Sequence, residues 1–98
     1  MTPTQASSYK NVMEIIVDEE IDRQTQHFPA ETAQRLNRIE LATYALNRLP
    51  PLYASSREGV DFQYERGKSE LHSRVVSVVE KALSVIKEAP ERESTPFL

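Results

Sequence analysis

Apolar residues recur along this chain at helical spacing in three stretches, punctuated by proline and glycine. From Tyr9 to Gln26, Val12, Met13, Ile15, Ile16 and Val17 gather on one side of a first helix. Their arc covers about 200°, more than one packing partner fills. Glu19 and Arg23, four apart, are its expected surface ion pair. Phe28-Pro29 ends this element, and Glu31-Thr32 opens a second helix that Pro50-Pro51 stops, because a residue before proline is held out of the helical region. Leu36, Ile39, Ala42, Leu46 and Leu49 form an apolar arc on the second helix and should face the core. A last helix, from Lys68 to Lys87, carries Val75, Val76, Val78, Val79, Ala82, Leu83, Val85 and Ile86 over about 180°. Its VVSVV run has strand propensity, but the polar residues return on helical spacing, so helix prevails.

Between those helices, Leu52 to Gly67 holds both glycines of the chain, with Val60, Phe62 and Tyr64 alternating with polar residues. A lone strand has nothing to pair with, so the segment reads as a loop with room for one helical turn, packing its apolar side chains on the core. The expected fold is all-α: a small helical domain of three main helices plus a Pro-Pro-containing connecting loop. Two apolar arcs this wide imply that each helix buries one side within the subunit and another against a second copy, giving a homodimer. The domain should run over residues 9–89, with flexible tails at 1–8 and 90–98, both rich in proline and polar residues.

Composition narrows the function. Ninety-eight residues make one small domain, and without cysteine it has no disulfide or thiolate metal site to reinforce a marginal core. The start MTPTQASSYK lacks a signal-peptide pattern and no apolar run spans a bilayer, so a cytoplasmic protein with no membrane partner is expected. A net charge of −3, with Lys and Arg scattered among acids, argues against a nucleic acid polymer as partner but permits a small anion. His27 and His72 stand alone, and of the acidic run only Asp18 and Asp22 share a helix face, so no metal or other cofactor is expected. Neither a phosphate-binding glycine loop nor a nucleophile elbow occurs, and Ser55 and Ser56 have no local base. The chain does not read as an enzyme.

The polar side of the second helix is the best candidate for binding chemistry. Asn37, Glu40, Tyr44, Asn47 and Arg48 fall within an arc of about 100°, offering fixed donors, acceptors and a flat ring. Such groups suit the edges and phosphates of a nucleotide. The plainer reading stands beside it: Tyr44 in the core, Asn37 and Asn47 capping or bonding backbone, and Arg48 in solvent.

Two blocks of sequence add a resemblance. KNVMEIIVDEEIDRQ (from Lys10 to Gln24) and LNRIELATYALNRLPPLYASS (from Leu36 to Ser56), with the weaker GKSEL (from Gly67 to Leu71), resemble the ComFB family of late-competence proteins. The likeness is closest to its cyanobacterial-type branch, from photosynthetic bacteria. It implies a helical homodimer that receives a cyclic dinucleotide second messenger, cyclic di-GMP foremost and cyclic di-AMP as the second candidate. Relatives from Gram-positive bacteria hold zinc on cysteines between the first two helices, whereas here that connection is TQHFPAET, so the metal does not carry over. Under this resemblance Arg48 suits the O6 and N7 acceptors of guanine, and Glu40 or an Asn amide suits its donors. Tyr44 or Tyr53 can stack on the base, while Lys10, Ser55, Ser56 and Arg57 are available to the phosphates. Asn47, Arg48 and Tyr53 carry most weight, because polar arc and family motif coincide there. The expected function is a non-enzymatic receptor that relays the signal to a protein effector. The alternative is a ligand-free dimeric scaffold in which NRLPPLY is a docking surface.

Overall fold

The computed structural model describes residues 5–88 and Phe97. The tails expected at 1–8 and 90–98 fall largely outside the described residues. The order is β1 (Lys10–Asn11), α1 (Met13–Thr25), α2 (Ala30–Arg35), α3 (Arg38–Leu46), β2 (Tyr53–Ala54), α4 (Arg57–Glu70) and α5 (His72–Glu88). The domain is mainly helical, as expected, but with five helical segments and a two-stranded ribbon among the described residues. Of these helices, α1, α3 and α5 pack together around the core, and α4 lies across α1 and beside β2.

Met13, Ile16, Val17, Glu20 and Ile21 are the buried face of α1, at helical spacing. The first helix is shorter than the sequence predicts, because Lys10 and Asn11 are taken into the ribbon. There Lys10 pairs with Ala54 and Asn11 with Tyr53, antiparallel, and the Val12 amide donates to the Leu52 carbonyl at 2.8 Å. Glu20, 5% exposed, is the buried charged residue among the described residues. Burial pushes its carboxyl up, but hydrogen bonds from Arg23 and Gln24 and the charge of Arg23 outweigh that and hold it below its ordinary value. Arg23 therefore pairs with Glu20, three residues back, and not with Glu19 as the spacing suggested.

The expected second helix is broken in two. Leu36 leaves the helical region (ψ 130°), and Asn37 caps α3, its Oδ1 accepting from the Glu40 amide at 3.1 Å. An asparagine side chain that satisfies an orphan amide makes a new helix start favourable at this point. With the core at Leu41 and Ala45, the buried stripe of α3 lies about a third of a turn from the predicted one. Ile39, expected inside, is 79% exposed.

The segment expected as a loop is largely α4. Ser56 caps it, its Oγ accepting from the Gly59 amide at 3.0 Å, and Val60, Tyr64, Gly67 and Leu71 turn toward the core at intervals of three and four. At Gly67 the side-chain ends of Ile16 and Leu52 occupy the space that a Cβ would take. A bend at Leu71 (φ −117°, ψ 7°) separates α4 from α5, so the last helix begins at His72 and not at Lys68. Its Val75, Val79, Ala82 and Leu83 are buried, and Val76, Val78, Val85 and Ile86 are half-buried.

Candidate functional site

A single side-chain amide fixes how the ribbon meets the helices. Asn11 Oδ1 accepts from the Met13 amide at 3.1 Å, opening α1, and from the Leu52 amide at 2.8 Å, holding the strand that follows Pro50-Pro51. Asparagine suits this place because its short acceptor reaches backbone two residues ahead. Asn11→Ala should strip both amides of their partner and cost about 1–3 kcal/mol, read as a lower urea midpoint. Asn11→Asp, which keeps the acceptor, should restore most of the loss.

The ribbon so anchored forms one wall of an open cleft of about 370 Å³, lined by Ser8, Tyr9, Lys10, Ala54, Ser55, Ser56, Arg57 and Val60. Among the described residues, two cations and no carboxylate line it. Ser56 ends the extended chain and caps α4, so the cleft opens at that helix's N-terminus. The first-turn amides left without helical partners, and the positive end of the helix dipole, favour an anion there. At its edge the rings of Tyr9 and Tyr53 meet at right angles, centroids 5.7 Å apart, both largely exposed. Gln63 Nε2 donates to the Tyr53 carbonyl at 3.0 Å, tying that strand to α4.

Of the residues nominated by sequence, the cleft gathers Lys10, Ser55, Ser56 and Arg57, with Tyr53 at its rim. Asn37, Glu40, Tyr44, Asn47 and Arg48 do not line it. Asn37 caps α3, Asn47 is that helix's C-cap residue, Glu40 is half-buried, and half-buried Tyr44 packs against the core. The Arg48 guanidinium lies 3.6 Å above the Tyr44 ring and donates through Nη1 to the Tyr44 carbonyl at 2.9 Å. That stack is a second, separate cation with an aromatic face. The residues sequence reasoning missed are Ser8, Tyr9, Ala54 and Val60 in the lining and Asn11 and Gln63 behind it. Asn11 carried a signal, a short acceptor just ahead of an apolar helical run.

The acidic run of α1 is dispersed among partners. Asp18 and Asp22 both pair with Arg38, at 2.6 and 2.9 Å, and Glu19 accepts from the Tyr64 hydroxyl at 2.7 Å. That bond, with burial and the carboxylate's charge, raises the Tyr64 phenol above its ordinary pKa.

Fold and cleft define a class: a small helical domain, closed by a two-stranded ribbon, with a cation-lined opening at a helix N-terminus. The family model described as late competence development protein ComFB matches residues 10–90, and the chain belongs to that family. No curated protein matches the chain. Among the described residues, no helix is long and apolar enough to cross a membrane.

Proposed function

We propose that this protein is a non-enzymatic receptor for a cyclic dinucleotide, cyclic di-GMP foremost, acting in the cytoplasm as a homodimer. The observation that carries the reading is the convergence of Lys10, Arg57 and the N-terminus of α4 on one cleft with three serine hydroxyls and, among the described residues, no acid. Two cations suit phosphate as point charge and fork, while hydroxyls and orphan amides take the remaining oxygens. The exposed Tyr9 and Tyr53 rings offer a purine a stacking surface beside the phosphate. A cyclic dinucleotide repeats phosphate and base about an approximate two-fold axis, so two copies of this cleft supply matched half-sites. Phe62, 68% exposed and two residues along α4 from the cleft's Val60, leaves an apolar ring free for that pairing. The ribbon runs directly into α1, so a ligand that orders Tyr9 and Lys10 also fixes the start of a core helix; an effector protein would read that change.

Thermal unfolding with cyclic di-GMP, cyclic di-AMP and GTP, each at ~100 μM, tests the reading, because only a ligand of the folded state raises the midpoint. The expected result is a rise of several degrees with a cyclic dinucleotide and none with GTP. No shift with any of the three would leave a ligand-free scaffold as the function.

A further inference from the structure

A second concavity lies between α1 and α3. Ile15, Ala42 and Leu46 form its apolar floor, and among the described residues Glu14, Asp18 and Glu19 are its charged lining. Ile39, on the same stripe of α3 as Ala42 and Leu46, extends the apolar surface into solvent. From Ile39 to Leu46 the strip runs about 10 Å, the length of two helical turns.

We propose that this groove docks a basic amphipathic helix of a protein partner. The apolar floor takes one face of such a helix at positions i, i+3, i+4 and i+7. The acids choose the partner. Asp18 is engaged by Arg38, Glu19 accepts from the neutral Tyr64 hydroxyl and has no ion pair among the described residues, and Glu14 is exposed, so the rim keeps negative charge for Lys or Arg on the incoming helix. A second copy is a poor occupant. A two-fold contact places the same patch against itself, and here that would set carboxylates against carboxylates over a desolvated floor.

This inference deepens the effector half of the receptor reading but needs nothing in the cleft, so ligand-free protein tests it separately. The probe is a fluorescent amphipathic peptide of about 14 residues built from Leu and Lys, with its Leu/Glu counterpart as control. By anisotropy the Lys peptide should bind saturably and at least tenfold tighter than the Glu peptide. Glu14→Lys, at an exposed position, should weaken the Lys peptide severalfold, and Leu46→Lys should abolish its binding, each with an unchanged circular dichroism spectrum. Equal binding of both peptides, or binding untouched by either variant, overturns the proposal. So does light scattering in which the wild type is a dimer and Leu46→Lys a monomer, because the groove would then be the contact between copies.

Discussion

Arg57→Ala and Lys10→Ala should each weaken cyclic-dinucleotide binding at least tenfold, and the double variant should show no thermal shift at ~100 μM ligand. A hydrogen bond to a charged partner contributes about 1.5–3 kcal/mol, so losing one cation costs roughly one to two orders of magnitude in affinity. The N-terminus of α4 remains in either single variant and adds about 0.3–1 kcal/mol for an anion, which is too little to hold the ligand alone. Both side chains are exposed and neither has an ion-pair partner among the described residues, so folding stability should stay within ~0.5 kcal/mol. Isothermal titration calorimetry gives the affinity, and urea unfolding shows whether the fold is intact.

Arg48→Ala is the informative contrast. The sequence ranked Arg48 above Arg57, because it sits in the polar arc and the family motif together. In the structure its guanidinium is stacked on Tyr44 and bonded to that residue's carbonyl. If the dinucleotide sits on that stack, Arg48→Ala should cost tenfold and the cleft variants nothing. The opposite pattern places the ligand in the cleft.

What the sequence made legible follows from what periodicity encodes. The faces of α1 and α5 were visible because long runs of Met, Ile and Val repeat at one helical period. The ribbon was not, since two residues per strand carry no period, and its pairing joins parts of the chain that nothing local connects. For α4 the strongest signal was misleading: the alternation of Val60, Phe62 and Tyr64 hid a helical stripe of Val60, Tyr64, Gly67 and Leu71. Gly67 was read as a loop residue when its function is close packing. Asn37 broke the wheel on which the polar arc was drawn, because a cap residue stands outside the helix it starts. The candidate site divides along the same line. Lys10, Ser55, Ser56 and Arg57 entered only through the family resemblance, and only strand pairing brings Lys10 to the other three.

Gly67→Leu should cost about 3 kcal/mol or more and lower the midpoint of thermal unfolding by more than ~10 °C. No glycine among the described residues has positive φ, so Gly67 is needed for space and not for backbone conformation. A Cβ added there would stand 2.9 Å from Leu52 Cδ1 and nearer still to Ile16 Cδ1. Those two methyls belong to buried side chains, and both must move before α4 can keep its place across α1. Gly67→Ala sets two effects against each other. Alanine gains up to ~1 kcal/mol over glycine within a helix, and overpacking typically costs 1–3 kcal/mol, so a net loss of about 1 kcal/mol is expected. Helix propensity and packing separate in a second background. Ile16→Val deletes the methyl that the new Cβ meets first, at about 0.5–1.5 kcal/mol of its own, so Gly67→Ala should be milder there than in the wild type. Equal costs in both backgrounds would mean that α4 does not lie on Ile16 at this point. The same crossing supports Leu52, whose backbone is bonded to Asn11 and Val12 on the ribbon, so damage at Gly67 should reach the cleft as well. Gly67→Ala is therefore expected to weaken cyclic-dinucleotide binding although its Cα lies outside the cleft lining, and Ile16→Val should relieve that loss together with the loss of stability.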